Sequence, residues 1–299
     1  MTQRAFKHIS FSDKIFEICL ILIMCYVLFI TLFPFLNVLA ISLNESADTA
    51  RGGVGILPRA FTLDNYQQLA RFPSIWRGMY ISFARTIIGT ITGLFSTAML
   101  AYVISRREFM LRKGITTMFI MTMYVSGGLI PHFMVIRLFG LNNHFLVYII
   151  PSLISAWNLI IIRSFIDALP YSLQESAFLD GANDLTIFFK IILPLCMPVL
   201  MTVSLFIAVG QWNSWFDTYL FAPFNDSITT LQFELMKILE GAATGGQLGD
   251  AGNIQMAHNV SPLSLRMAAT VVTMLPMLAA YPFVQRFFVS GMTLGAVKE

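Results

Sequence analysis

Six stretches of mostly apolar sequence, at 17–41, 79–104, 115–138, 145–166, 195–222 and 267–288, dominate this chain. A helix needs about 20 such residues to cross the hydrocarbon core of a bilayer. Lipid offers no hydrogen-bond partner, so a segment of that length must satisfy its own backbone, and a helix does so. The pattern predicts an all-α polytopic membrane protein with six transmembrane helices. Of the 299 residues 57% are hydrophobic and 12% charged, about half the charge of a soluble domain. The first stretch is too long and too far from the start for the apolar part of a cleaved signal, and reads as a retained anchor. The net charge of +3, carried by dispersed basic residues, argues against nucleic acid. Cys19, Cys25 and Cys196 all lie in apolar stretches, which predicts buried thiols rather than a disulfide framework.

Lys and Arg in short loops set orientation. The segment SRREFMLRKG (105–114) carries Arg106, Arg107, Arg112 and Lys113, and the N-terminal tail carries Arg4, Lys7 and Lys14. Both are expected in the cytoplasm, and counting spans puts 163–194 and the C-terminal tail there too. The loops 42–78 and 223–266 then fall outside. Arg51, Arg59, Arg71 and Arg77 in the first of these run against the rule. That loop is long and also holds acids, so it weighs less than the short basic one. The expected plan is a tail at 1–16, a six-helix domain at 17–288 and a tail at 289–299. Within the domain lie an inner loop at 167–194 and an external loop at 223–266. The segment EGAATGGQLGDAGN (240–253) in the external loop reads as flexible, and the loop is long enough to hold a partner-docking element.

The sequence carries no GxxxxGK[ST] loop to cradle ATP phosphates. His8, His132, His144 and His258 are scattered, without metal-site spacing. No catalytic group and no resident metal or cofactor is expected. Arg85 and Asp217 are the main charges inside apolar stretches, and a charge at mid-bilayer costs about 2.5–3.5 kcal/mol on insertion scales. Arg85 is expected to snorkel toward the external end. Asp217 lies nearer that end, and lining a path and simple solvation both fit it. Gln211, Trp215 and Thr218 fall at helical spacing with Trp212, Asn213 and Asp217 beside them. Aromatic faces with amides and a carboxylate suit a sugar path. An interfacial aromatic belt fits the tryptophans equally. A path of this kind lacks an engine: either an ion gradient drives it, or a separate subunit supplies ATP.

Between the fourth and fifth stretches lies LPYSLQESAFLDGANDLTIFFKIILPLCMP (169–198). Pro170 suits the first turn of a helix, where its missing N–H costs nothing. Leu173 and Ala177 are four apart and share a face. Gly181 is a natural residue just past a helix end. Asn183 or Asp184 can cap a second helix, LTIFFKIIL, ended by Pro194. Two short helices meeting at a glycine make a compact knob, and Ser176, Ala177, Gly181 and Ala182 are small enough for another protein to approach closely. Composition alone favours an ordinary hairpin between two spans. The spacing goes further: Glu175-Ser176-Ala177, Gly181, Ile191, Leu193 and Pro194 resemble the EAA motif of binding-protein-dependent ABC importer permeases. That motif runs Glu-Ala-Ala, three residues, Gly, nine residues, Ile, one residue, Leu-Pro. Ser176 is the one departure and stays small.

The resemblance covers nearly the whole chain. LPRAFTLDNYQQL (57–69), AYVISR (101–106) and AVGQWNSWFDTYLF (208–221) resemble segments of sugar-type permeases. QRFFVSGMTLGAVKE (285–299) resembles their C-terminal tail, with Glu299 where glycine is usual. The chain is similar to the second subunit of the maltose permease and closest to the LplC/YtcP-like subgroup, which SGGLIP (126–131) and LIIIRSF (159–165) support.

The resemblance implies a type I importer permease (MetI-like) fold in a bacterial cell membrane. It implies a homologous second permease, two cytoplasmic ATPase subunits that bind ATP and Mg, and an external sugar-binding protein. The first helix of the motif would sit in a cleft on the ATPase. Glu175, Ser176, Ala177, Asp180, Gly181, Ala182, Leu193 and Pro194 would couple to it, with Glu175 anchoring the knob by a hydrogen bond or ion pair. Gly181 is expected because any Cβ would crowd the turn. The tail residues Gly291, Thr293, Gly295 and Lys298 would also touch the ATPases. The expected cargo is a sugar, an oligosaccharide above all. A permease for a phosphate ester, polyamine or amino acid, or a self-sufficient ion-coupled carrier, are the competing readings.

Overall fold

The computed structural model describes residues 11–243 and 261–296. Among them every regular element is helical, and one isolated antiparallel bridge, Asn44 to Phe61, is the only strand-like pairing. The chain divides into two compact units.

The first unit takes the described residues up to Arg71 and those from 261 to Val272. It opens with α1 (Phe11–Ser42), exposed on all sides from residue 13 to 35. A helix apolar all round needs lipid or a partner as its solvent. Cys19 and Cys25 lie on this surface, so the expectation of buried thiols holds for Cys196 alone. Two short helices follow, α2 (Ser46–Ala50) and α3 (Asp64–Ala70).

Two buried asparagines organise the loop around those helices. Asn44 donates to Asp48 Oδ2 (2.9 Å) and Thr49 Oγ1 (3.0 Å), and its Oδ1 accepts from the backbone N–H groups of Arg59 and Ala60. Asn65 donates to the carbonyls of Ser42 and Asn44 and accepts from Ser46. Tyr66 Oη pairs with Ser42 Oγ at 2.7 Å. The Asn-Tyr pair of the FTLDNY segment thus ties α3 to the end of α1. Arg59 pairs with Asp48 at 2.9 Å. Asn44 first, and Arg59 after it, hold the Asp48 carboxyl below its ordinary value.

The second unit takes Phe72–Ala243 and the described residues from Thr273. Its centre is α4 (Pro73–Ser105), which begins earlier than expected because Pro73 fits a first helical turn. Around α4 pack α7 (Ala156–Asp167), α11 (Met197–Asn213) and α13 (Leu231–Ala243). Its buried face is rich in small residues, among them Gly78, Ser82, Gly89, Gly93, Ala98 and Ala101, which let backbones close on one another. A Cβ on Gly78 would lie 3.1 Å from the Leu231 backbone nitrogen, and that N–H donates to Ser82 Oγ at 2.9 Å. We expect Gly78→Val to pry α13 from α4 and to raise protease sensitivity at 222–243, checked by limited proteolysis in detergent. The loop 223–266 therefore contains a packed helix. The remainder of 240–253, from residue 244 on, lies outside the described residues.

Several expected spans are broken. Among the described residues three helices are long and apolar enough to cross alone: Asp13–Ser42, Pro73–Ser105 and Pro262–Ala280, the last within α14 (Pro262–Ala296). The third stretch is two helices, α5 (Arg112–Tyr124) and α6 (Leu129–Leu138), parted where Gly128 takes φ +85°. The fourth is a pair of 3₁₀ turns, Phe145–Tyr148 and Ile150–Ser152, bent 46° from α7.

Candidate functional site

The knob forms from α8 (Ser172–Leu179) and α9 (Asp184–Ile187). Pro170 lies just ahead of α8, its carbonyl accepting from Leu173 N. At the other end Ala182 N donates to Ala177 O and Gly181 N to Phe178 O, both at 2.9 Å. This pair of bonds closes the helix when the residue after the cap is left-handed, and Gly181 has φ +81°. A Cβ there would meet nothing within 4 Å. Crowding is therefore not the reason for glycine; the backbone conformation is. Asn183 caps α9, its Oδ1 accepting from Thr186 N at 2.8 Å, which decides between it and Asp184. Asn183→Ala should cost about 1 kcal/mol, read as a lower denaturation midpoint in detergent.

The second helix does not stop at Pro194. It continues through a π turn (Phe188–Ile192) into α10 (Leu193–Leu195). At Cys196 the run bends 82° into α11. Pro198 has no N–H for the carbonyl of Pro194, so the helical ladder fails there. Leu193 packs toward the core and Pro194 is exposed at the bend.

The small residues do not all face outward. Ala177 is buried in the core cluster that also holds Tyr102, Ile187 and Phe188, and Ala182 packs on that cluster. They seat the knob on its own bundle. The outward face carries Leu173, Glu175, Ser176, Leu179 and Asp180, with Leu179 89% exposed. The backbone N–H of Glu175 donates to Tyr171 O, but among the described residues its carboxylate makes no hydrogen bond or ion pair, so its side chain does not anchor the knob to this chain.

Arg106 does. It follows the last residue of α4, and its side chain is 12% exposed. Its Nη1 donates to Gln174 Oε1 at 2.6 Å, and its Nη2 lies 3.4 Å from Asp184 Oδ1. The guanidinium stacks 4.6 Å from the Phe178 ring and reaches Glu108 Oε2 at 3.5 Å. Tyr102 Oη donates to Asp184 Oδ1 at 3.3 Å. Arg107 lies 4.5 Å from the Tyr171 ring centroid, and Tyr171 Oη donates to Glu108 Oε1. The basic loop and the knob therefore occupy one face, as span counting implied. In the sequence Arg106 marked only topology and the end of AYVISR; nothing there tied it to Gln174.

The Tyr171 hydrogen bond holds the Glu108 carboxyl below its ordinary 4.5. The same bond raises the Tyr171 hydroxyl above 10.0. A lowered carboxyl stabilises above its unfolded value and loses that as pH falls through the folded one. A raised phenol stabilises below its unfolded value and loses that as pH rises through the folded one. The Glu108–Tyr171 contact is thus expected to be insensitive between about pH 5 and 9. Tyrosinate absorbance, taken as a difference from Tyr171→Phe, should place this phenol above free tyrosine. Titration at the free value would contradict the contact.

The other candidate constellation lies in the N-terminal half of α4, around Arg85. α11 ends at Asn213, Ser214 is extended, and α12 (Phe216–Phe221) starts anew. Gln211, Trp215 and Thr218 therefore do not share one continuous helical face. Arg85 closes this break. Its Nη1 donates to Ser214 O (3.2 Å) and Asp217 Oδ1 (3.1 Å), its Nη2 to Asp217 Oδ2 (2.5 Å), and both Nε and Nη2 reach Gln211 Oε1. The Tyr148 ring lies 4.5 Å from the guanidinium. Arg85 is 2% exposed, so it is paired inside the bundle and does not snorkel.

Gln211 also donates to Tyr148 O and Ser152 Oγ, Trp212 Nε1 to Thr273 O, and Thr218 shares a hydrogen bond with Thr230. These three are buried framework, whereas Asn213 is exposed and Trp215 and Asp217 are partly so. Of the tail residues, Gly291, Thr293 and Gly295 lie on the α14 backbone and Lys298 lies outside the described residues. Among the described residues no group of His, Cys, Asp or Glu could hold a metal ion.

A helical permease bundle with a knob on one face and a broken span toward the other defines the class. Residues 89–294 match the family model described as "Binding-protein-dependent transport system inner membrane component". The chain belongs to this family of inner-membrane transport permeases. It is similar to Protein LplC of Bacillus subtilis, at 36% identity over 97% of each chain. It is also similar to the polygalacturonan/rhamnogalacturonan transport system permease protein YtcP of the same organism, at 34% identity over 96% of this chain and 99% of the relative. A crystal structure of a bacterial ABC transporter involved in the import of the acidic polysaccharide alginate contains a chain of the same fold. The TM-score is 0.85 at 25% identity, covering 93% of this chain and 98% of that one. The MetI-like six-span family fold thus accommodates the broken stretches described above.

Proposed function

We propose that the chain is one of two non-identical permeases of an ATP-driven importer for oligosaccharides. The knob face lies in the cytoplasm with both termini, and α8 docks on one of two ATPase subunits that bind ATP and Mg. An external binding protein delivers the cargo. The observation that supports this best is the knob: its outward face is exposed, with Leu179 almost fully so, while its inward face is clasped to α4. Such a unit suits the transfer of a rigid-body displacement between two packings. Glu175 and Asp180 face the partner, and Gly181 sets the turn between the two limbs.

The sugar class rests on the relatives, one of them a polygalacturonan/rhamnogalacturonan permease, and on the alginate importer. Asn213, Trp215 and Asp217 would meet the solute, a reading supported by their exposed or half-exposed side chains. The test is thermal-shift binding of the cognate binding protein to oligogalacturonides, arabino-oligosaccharides, maltodextrins, amino acids, polyamines and glycerol phosphate. Binding to the oligosaccharides is expected; binding only to the non-sugars would refute the assignment.

A further inference from the structure

We propose that Arg106 is a positioning residue that gears the knob to α4. A push on α8 then reaches the break between α11 and α12 through α4, and not only along the chain. This rests on the reading that α8 receives the motion of an ATPase. One guanidinium holds both limbs of the knob: Gln174 and Phe178 on α8, and Asp184 at the start of α9. Gln174 is itself buried, so its amide oxygen would lose its partner without Arg106.

The helix so gripped is long and carries its one proline at its first turn, which leaves no proline kink along it. Arg85 stands on the same helix about 30 Å away along its axis. There it binds Ser214 O on one side of the break and Asp217 on the other. α4 (33 residues) therefore carries two charged grips, one at its C-terminal end on the knob and one in its N-terminal half on the interrupted span. A helix break is where a small displacement is taken up as a change of angle.

The test uses the complete importer in nanodiscs, with Phe216→Cys as reporter at the exposed start of α12 and Cys19, Cys25 and Cys196 replaced by alanine. The probe is a membrane-impermeant maleimide, applied with and without trapping by ATP and vanadate. In the parent chain the trapped and resting labelling rates should differ by about tenfold. With Arg106→Gln the ATPases should still copurify and trap vanadate, while the difference falls to about twofold or less. Asp184→Asn, which alters an exposed group and removes only the ion pair, should lie between. An undiminished difference in Arg106→Gln overturns the proposal. So does loss of the ATPases, which would make Arg106 a docking residue. Absence of any difference in the parent chain removes the functional reading itself, and is visible before any variant is made.

Discussion

Asp217→Ala is expected to be among the most damaging single substitutions, costing about 3–5 kcal/mol. The reason is asymmetry within the pair. Arg85 is 2% exposed at its side chain and Asp217 22%, so removing the carboxylate strands a guanidinium that water cannot reach. Gln211 Oε1 and Ser214 O remain as acceptors, but neither carries charge. Asp217 Oδ1 also accepts from Thr218 N, so one N–H in the first turn of α12 loses its acceptor in the same step. Asp217→Asn keeps an acceptor and should cost less. Replacing both partners, Arg85→Met with Asp217→Leu, should recover much of the loss, because an apolar pair leaves no orphaned charge. Denaturation midpoints in detergent give the cost of Asp217→Ala, and those for Arg85→Met, Asp217→Leu and the double variant give the cycle. A cost below about 1 kcal/mol for Asp217→Ala would mean the pair is solvated in the manner of a surface ion pair.

This pair also marks where sequence reading stopped. The apolar stretches located the helices because a bilayer needs a fixed length of apolar residues, a local property of the chain. The knob was legible for a related reason: Gly181 and Asn183 encode turn and cap chemistry within a few residues, whereas Pro194 misled, since the helical run passes through it. Neither Arg85–Asp217 nor Arg106–Gln174 is local. Each joins residues that only the packing of α4 brings together, and neither helix face reveals its partner. Judged alone, Arg85 had a cheap escape to the interface; packed against Tyr148 and Gln211 it has a better one inside. The breaks at 125–128 and 214–215 lie inside otherwise apolar stretches, short enough for each stretch to read as one span, and the backbone shows the departure from the helix. Small residues at 176, 177 and 182 were visible, but the face they occupy depends on Gln174 and Ala177 turning inward.

The second large effect is expected at Gly181. Valine at φ +81° sits in a region that costs an L-residue about 1–2 kcal/mol and a β-branched one more. The paired bonds to Ala177 O and Phe178 O would open, and α8 would leave its seat. A cost of that size on the docked turn corresponds to about a tenfold loss of correctly set knobs. Asparagine tolerates the left-handed region and meets no neighbour there, so Gly181→Asn should keep most activity. The contrast separates backbone conformation from crowding against a partner.

ATP-driven uptake of labelled oligogalacturonides into proteoliposomes holding the complete importer tests the central claim most directly. Uptake should require the ATPase subunits, fall about tenfold in Gly181→Val and persist in Gly181→Asn, with all three chains inserted equally. Undiminished uptake by Gly181→Val, or gradient-driven uptake by this chain alone, would contradict a knob that receives the work of a separate ATPase.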